Sequence, residues 1–308
     1  MHRFAKNDRK KTVSSEFTID RVSVVEIPTA NSLRQQQPIK RKSTMKQLLT
    51  LLLIVLATAV VAAENAFPPV PSAPVVAHRG FSGLKPENTL AAYRAAVEAG
   101  ANGAECDIRR ASDGIIYIMH DGNFKRTAGH DIPAGTIPYT EITQFDAGEG
   151  EKIPTLEEYL ALLKGTQTRP IVEVKEDGFE AQVVETIRAF ELEHTSVIID
   201  FSAERVKKFR ELAPEICVAW LCAFNEETPE DEIAAKIINT LKICNTNVVD
   251  MCFNRATPTL VKKLRNAGIS VWCWTVDNPN DITRLYEMGV ESVTTNYPDR
   301  ALEIYQKK

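Results

Sequence analysis

Three acidic residues of this 308-residue chain stand inside short apolar runs, where ionisable side chains are uncommon. Glu105 and Asp107 are two positions apart, so in a β-strand both carboxylates would point to the same face. Glu173 lies in a similar run, two positions before Lys175. Buried carboxylates are costly unless a cation compensates them, and Mg²⁺ and Ca²⁺ prefer oxygen ligands. The three residues are therefore predicted to bind one divalent cation, Mg²⁺ or Ca²⁺. The alternative is structural ion pairing, for example between Glu173 and Lys175.

Two histidines stand at the ends of apolar runs, and each has a charged neighbour. His78 precedes Arg79, and His120 precedes Asp121. A lone histidine is more often structural than catalytic, but two imidazoles near a carboxylate cluster suit acid–base chemistry at neutral pH. One would deprotonate an attacking oxygen and the other would protonate a leaving oxygen. The planar guanidinium of Arg79 suits a phosphate group.

Eight apolar runs, each as long as a strand, alternate with amphipathic segments from Pro74 onward. Glycines such as Gly100, Gly268 and Gly289 follow the amphipathic segments, as they do at helix C-termini. Eight βα units in about 230 residues favour a (β/α)₈ TIM barrel of the α/β class, with an open doubly wound sheet as the alternative. The predicted strands are Val75–His78, Gly103–Ile108, Pro170–Lys175, Ser196–Phe201, Ile216–Leu221, Asn247–Cys252, Ser270–Thr275 and Ser292–Thr295.

The second βα unit is irregular. A turn signature at residues 112–114 follows the second strand, and a further apolar run from Ile115 to Met119 ends at His120. We expect a hairpin built onto the exit of the second strand, followed by a loop over residues 122–154. Barrels bind substrates on the loops at the carboxyl ends of their strands, so this insertion is expected to form a wall of the site.

The first 63 residues differ in composition from the rest. Lys46 precedes an apolar run from Leu48 to Ala63, which ends in small residues before a Pro-rich stretch. This pattern is typical of a secretory signal peptide; an uncleaved membrane anchor is the alternative, for which the run is slightly short. We predict a disordered or wrongly assigned upstream extension (1–44), a signal peptide (45–63), a linker (64–73) and a barrel domain (74–308). The protein is expected to be exported to the periplasm or the extracellular space, without a stable membrane anchor after cleavage.

Charge and cysteine content restrict the partners of the exported body. Residues 1–63 contain 11 of the 37 Lys and Arg and 4 of the 41 Asp and Glu. The remainder of the chain therefore has 26 basic and 37 acidic residues. An acidic body argues against nucleic acid or an anionic membrane as a partner. The six cysteines lack the regular spacing of a disulfide framework, and at least five lie in strand-like runs. Buried free thiols are therefore predicted.

Short motifs around these residues follow one another in a fixed order over residues 74–299. They are His78-Arg79-Gly80, Pro86-Glu87-Asn88-Thr89, Glu105-Cys106-Asp107, His120-Asp121, Ile153-Pro154-Thr155-Leu156-Glu157-Glu158, Glu173-Val174-Lys175, Trp274-Thr275-Val276 and Thr295-Asn296. Each motif alone is weak, but the ordered set resembles the glycerophosphodiester phosphodiesterase family.

The resemblance implies a role for each of these polar residues. It implies a metal site at Glu105, Asp107 and Glu173, an acid–base pair at His78 and His120, and phosphate contacts from Arg79 and Lys175. Glu87 and Asn88 match a loop of the family and are expected to support the site, Asn88 by capping the first helix. Trp274 should share a face with Trp272 and form an aromatic wall beside the glycerol or alcohol group, with packing in the core as an equal alternative for Trp272.

The function that the resemblance implies is hydrolysis of glycerophosphodiesters, small-molecule substrates, to glycerol 3-phosphate and an alcohol. Water and a neighbouring glycerol hydroxyl are both open as the nucleophile, and either histidine could act first as the base. One alternative is a phospholipase D-like enzyme acting on lysophospholipids or sphingolipids. Another is an exported protein that binds phosphodiesters without catalysis. A sugar-phosphate isomerase on a similar barrel would not explain the ordered motifs.

Overall fold

The computed structural model describes residues 48–52 and 67–307. Residues 48–52 are helical, and among the described residues no helix is both long enough and apolar enough to cross a membrane. The predicted upstream extension and most of the predicted signal peptide lie outside the described residues.

Eight parallel strands close into a barrel, which confirms the predicted fold. The first strand pairs with both the second and the last, so the sheet has no free edge among these eight. A ninth strand, β3, is joined to the outside of this set. The strands are β1 (Val75–Ala77), β2 (Gly103–Arg110), β3 (Ile116–Ile118), β4 (Arg169–Val174), β5 (Val197–Asp200), β6 (Cys217–Cys222), β7 (Val248–Cys252), β8 (Ser270–Trp274) and β9 (Ser292–Thr295).

Helices cover the outside of the barrel, and polar caps mark where several of them begin. Thr155 and Glu158 form a complete capping box at the start of α4, and Asn278 caps α9, which ends at Gly289 in the left-handed conformation. The helices are α1 (Leu90–Glu98), α2 (Lys125–Ala128), α3 (Tyr139–Ile142), α4 (Leu156–Leu163), α5 (Glu180–Ala189), α6 (Ala203–Leu212), α7 (Glu230–Cys244), α8 (Pro258–Asn266), α9 (Pro279–Met288) and α10 (Pro298–Gln306).

The alternation of side chains along the strands separates two apolar layers. On β2, Ala104, Cys106 and Ile108 pack against the helices, whereas Glu105 and Asp107 point into the barrel. The inner layer is formed by residues of several strands, among them Val76, Ile171, Ile199, Leu221 and Trp272. All six cysteines have free thiols, and five of them lie on strands, as predicted.

The irregular second unit is the predicted hairpin. β3 runs antiparallel to β2, with Ile108 opposite Ile118. The following segment is more ordered than the predicted loop, because it contains the single-turn helices α2 and α3. It also has a separate apolar core, which includes Tyr117, Phe124 and Ile142. The insertion is thus a small packed unit beside the mouth of the barrel.

Two strands that carry predicted site residues end earlier than the sequence indicates. β1 ends at Ala77 and β4 at Val174, so His78 and Lys175 each lie one residue beyond a strand. Their backbones continue the pairing for one more bond, because the His78 amide donates to the Thr295 carbonyl and the Lys175 amide to the Ile108 carbonyl. Both side chains therefore begin at the rim of the barrel.

Candidate active site

Glu105, Asp107 and Glu173 meet at one point of the barrel interior. Asp107 lies opposite Glu173 in the pairing of β2 with β4, and Glu105 precedes Asp107 on the same face. One oxygen from each carboxylate lies within 4.8 Å of the others. The Arg79 amide donates to Glu105 Oε2 at 2.7 Å, whereas the buried Oε1 atom has no hydrogen-bond partner among the described residues. An all-oxygen set with an unpartnered buried oxygen fits a hard divalent cation.

Mutual repulsion and burial perturb all three carboxylates. Burial, followed by the charges of Asp107 and Glu173, raises the pKa of Glu105 well above its ordinary value. Burial and the charge of Asp107 also raise the pKa of Glu173 to about 7. Burial alone would raise the pKa of Asp107, but the charges of Lys175 and Arg79 lower it. With all three carboxylates ionised, the cluster would carry one more negative charge than Lys175 and Arg79 compensate, which favours either a proton or a bound cation.

The two cationic side chains of the site contact different oxygens of Asp107. Lys175 Nζ lies 2.5 Å from Glu173 Oε1 and 3.0 Å from Asp107 Oδ1. Arg79 Nε lies 3.5 Å from Asp107 Oδ2, and its Nη1 atom donates to Glu87 at 2.9 Å. Arg79 has a φ of +54°, a sparsely populated conformation that presents both its amide and its guanidinium to this site.

His78 is held by a relay of side chains from the last two strand ends. His78 Nδ1 lies 2.8 Å from Asn296 Oδ1, and Asn296 Nδ2 donates to Asp277 Oδ2 at 2.6 Å. Because the Asp277 carboxylate only accepts, the Asn296 amide must present its oxygen to His78, so Nδ1 carries the proton. Burial and the charge of Arg79 lower the pKa of His78. The neutral ring therefore has its free lone pair on Nε2.

His120 has a charged partner. Its Nδ1 atom lies 2.7 Å from Asp121 Oδ1. Arg126 Nε donates to Asp121 Oδ2 at 2.7 Å, and these hydrogen bonds lower the pKa of Asp121. Both Nη atoms of Arg126 donate to Glu87, which also accepts from Arg79. An ionic chain thus runs from Arg79 through Glu87, Arg126 and Asp121 to His120, and it links the first loop to the insertion.

Asn88 does not cap the first helix, so this prediction is wrong. Thr89 is the N-cap, and its hydroxyl accepts from the Ala92 amide. Asn88 adopts a left-handed φ of +60°, which turns its side chain toward β2. Its amide donates to Asp107 Oδ2 at 2.8 Å and accepts from the Tyr93 hydroxyl. Asn88 therefore fixes the orientation of a predicted metal ligand.

A cavity of about 290 Å³ opens at the carboxyl ends of the strands and connects these groups. Trp274 forms part of its wall, and its ring contacts Phe201 edge-on with 5.5 Å between the ring centres. Asp107, Glu87 and Asn88 are not among the residues that line the cavity. The predicted residues that line it are His78, Arg79, Glu105, His120, Glu173, Lys175 and Trp274.

Several side chains of this site escaped the sequence-based prediction. Asn296 was visible only as part of a motif, and Asp277 directly follows the motif Trp274-Thr275-Val276 without belonging to it. Arg126 lies in the loop and has no local signal. Asp250 and Phe201 also line the cavity. Asp250 is an acidic residue within the apolar run of β7. The same kind of pattern indicated Glu105, so it could have identified Asp250 as well.

Comparisons with known proteins agree with this geometry. The model of the glycerophosphoryl diester phosphodiesterase family matches residues 78–300. A glycerophosphodiester phosphodiesterase of Caldanaerobacter subterraneus is 27% identical over 245 residues, which cover 76% of this chain and 98% of that protein.

Solved structures share the same architecture. An Oleispira antarctica phosphodiesterase, solved in complex with the product sn-glycerol-3-phosphate, has a TM-score of 0.68 at 25% identity. The match covers 76% of this chain and 96% of that one. A glycerophosphodiester phosphodiesterase of Agrobacterium tumefaciens has a TM-score of 0.66 at 24% identity. That match covers 76% of this chain and 99% of the Agrobacterium chain, and it supports the fold. The chain therefore belongs to the glycerophosphoryl diester phosphodiesterase family, whose members are phosphoric diester hydrolases.

Proposed function

We propose that the protein hydrolyses glycerophosphodiesters to sn-glycerol 3-phosphate and an alcohol in a reaction that requires a divalent cation. The observation that carries the proposal is the convergence of three carboxylates, two cationic side chains and two histidines on one cavity. The family match and the product-bound Oleispira antarctica phosphodiesterase support this substrate class.

Glu105, Asp107 and Glu173 would hold the cation, either Mg²⁺ or Ca²⁺. When bound, such a cation supplies a Lewis acid for a phosphate oxygen and positive charge beside the reacting phosphorus. Arg79 and Lys175 flank the same carboxylates, so they would contact the phosphate and stabilise the negative charge that develops on its oxygens.

We assign His78 as the general base. The relay through Asn296 and Asp277 favours a proton on Nδ1 and a lone pair on Nε2, and the lowered pKa keeps the ring neutral at pH 7. A neutral imidazole of this tautomer accepts a proton from the attacking oxygen, either of water or of a glycerol hydroxyl.

We assign His120 as the general acid. Its Nδ1 atom is engaged by Asp121, which Arg126 anchors, so Nε2 is the ring nitrogen left to carry the transferred proton. An imidazolium that faces the cavity can protonate the oxygen of the departing alcohol.

An assay of the purified protein tests the proposed function. We expect hydrolysis of glycerophosphocholine with release of sn-glycerol 3-phosphate, loss of that activity in EDTA, and recovery with Mg²⁺ or Ca²⁺. Transient glycerol cyclic phosphate would identify a hydroxyl as the nucleophile. Hydrolysis of lysophosphatidylcholine alone would contradict the proposal in favour of a phospholipase D-like activity, and full activity in EDTA would contradict the cation requirement.

The N-terminal composition supports export of the protein. The basic Lys46, the apolar run after it and the small residues at its end have the order of a signal peptide. We propose cleavage near Ala63. N-terminal sequencing of secreted or periplasmic protein should begin close to Glu64; a chain that retains residues 45–63 would contradict cleavage.

A further inference from the structure

Asp250 is a buried carboxyl group of the cavity wall with no role in the proposed reaction. It lies in β7 on the face that points into the barrel, and it is only 1% exposed. Its Oδ1 atom has no hydrogen-bond partner within the part of the chain that the structure describes. Its backbone carbonyl accepts from Trp274 Nε1 at 3.1 Å.

The position of Asp250 separates it from the cation site. It is not a member of the group formed by Glu105, Asp107 and Glu173. In the closed barrel β7 is four strands from β2 in either direction, so Asp250 stands on the opposite wall. The cavity between the two walls is where a substrate with its phosphate at the carboxylate cluster would extend.

A structural role does not explain this carboxyl group. Its neighbours along the cavity wall include the apolar side chains of Ile199, Leu221 and Trp274. A buried polar group without a partner costs free energy, and an apolar side chain of similar size would avoid that cost. An unsatisfied carboxyl group in the wall of a substrate cavity is therefore expected to form its hydrogen bond with a bound ligand.

We propose that Asp250 binds the hydroxyl groups of the glycerol moiety and makes the enzyme selective for hydroxyl-bearing phosphodiesters. The inference rests on the proposed function, because it places the phosphate of a glycerophosphodiester at the carboxylate cluster. It adds the residue that distinguishes glycerol from an alkyl group without hydroxyls.

Hydroxyl groups fit this site better than the ammonium group of a choline or ethanolamine moiety. Burial and the charge of Glu173 raise the pKa of Asp250 well above its ordinary value, which favours the neutral acid. A neutral carboxyl group both donates to and accepts from a hydroxyl, whereas an ammonium cation is stabilised mainly by an ionised carboxylate. In the sheet, Asp250 lies opposite Leu221 of β6 and Trp272 of β8. Because Trp272 is almost fully buried, Asp250 also lies deep in the barrel.

Competitive inhibition by two phosphate monoesters tests the inference. Sn-glycerol 3-phosphate and ethyl phosphate share the anion, but only the first has hydroxyl groups. In Asp250→Leu, we expect the Ki of sn-glycerol 3-phosphate to rise about 10- to 100-fold and that of ethyl phosphate to change less than about 3-fold. Asp250→Asn, which keeps a donor and an acceptor, should lie between Asp250→Leu and the wild type.

Thermal unfolding separates this role from a structural one. Because Asp250→Leu removes an unpartnered buried acid, its Tm should equal or exceed that of the wild type. Asp231→Asn, the same side-chain replacement as Asp250→Asn but on the exposed surface of α7, is the matched control and should leave both inhibition constants unchanged.

Two outcomes would overturn the inference. An equal loss of affinity for both monoesters, or a lower Tm for Asp250→Leu, would indicate a structural role. Unchanged inhibition by sn-glycerol 3-phosphate in Asp250→Leu would show that the hydroxyl groups bind elsewhere. If the wild type does not hydrolyse glycerophosphocholine, the proposed function fails, and that failure is visible without any variant.

Discussion

Glu105→Gln is expected to lower kcat/KM for glycerophosphocholine by about three orders of magnitude, because the substitution removes one of three charges at the predicted cation site. Glutamine has the same shape and retains an acceptor for the Arg79 amide, so the fold should be unaffected. Steady-state kinetics over a series of Mg²⁺ and Ca²⁺ concentrations measure the effect. The variant should remain impaired at saturating cation.

The same substitution should increase the stability of the cation-free protein. In the wild type, the pKa of Glu173 is raised from 4.5 to about 7 by burial and by Asp107. A carboxyl group with a raised folded-state pKa contributes stability that is present below pH 4.5 and is lost as the pH rises through about 7. The Tm of the cation-free wild type should therefore fall over this range. Burial and the charges of Asp107 and Glu173 raise the pKa of Glu105 as well, and Glu105→Gln removes the loss of stability that this group adds.

Cation binding should reverse this order of stability. Added Mg²⁺ or Ca²⁺ should raise the Tm of the wild type most above pH 7, where the carboxylates are ionised, and raise that of Glu105→Gln much less. Glu303→Gln, an exposed site on α10, is the matched control and should behave like the wild type. Equal stabilisation of Glu105→Gln and the wild type by the cation would contradict a metal site at Glu105.

His78→Ala and His120→Ala should differ in their dependence on the leaving group. A general acid matters for the alkoxide of choline but little for p-nitrophenolate, which is a stable anion. His120→Ala should therefore lose about 10²- to 10⁴-fold in kcat with glycerophosphocholine and much less with bis-p-nitrophenyl phosphate. His78→Ala should lose a comparable factor with both substrates, since every reaction needs an activated nucleophile.

His194→Ala is the matched control for these variants. His194 is 76% exposed and does not line the cavity, so its replacement should leave both substrates unaffected. A selective loss for glycerophosphocholine in His78→Ala, with a uniform loss in His120→Ala, would exchange the two assignments. Retained turnover of glycerophosphocholine in both variants would contradict acid–base catalysis by this pair.

Local sequence patterns predicted the parts of the site that depend on single strands. Period-two spacing was sufficient to place Glu105 and Asp107 on one face, and the run around Glu173 indicated a neighbouring strand. The same reasoning identified the hairpin that ends at His120, because a turn signature separates two apolar runs. Each of these features is encoded by a short local stretch of the sequence.

Contacts between distant segments could not be predicted in this way. The bond between His78 and Asn296 joins residues that are 218 positions apart, and it exists only because the barrel closes. Asn88 was assigned to the wrong role because a left-handed φ decides where its side chain points, and asparagine adopts that conformation without a distinct sequence signal. Arg126 acquires its partners only when the insertion folds against the first loop.

The separate apolar core of the insertion gives the segment before His120 a packing environment distinct from that of the predicted cation site. Tyr117 and Phe124 stack within that core, whereas Glu105 is fixed by the barrel. Substitutions within that core are therefore expected to displace His120 more than Glu105. An enzyme built in this way could adapt to bulkier leaving alcohols through changes in the insertion, while the proposed phosphate-binding residues at the barrel stay unchanged.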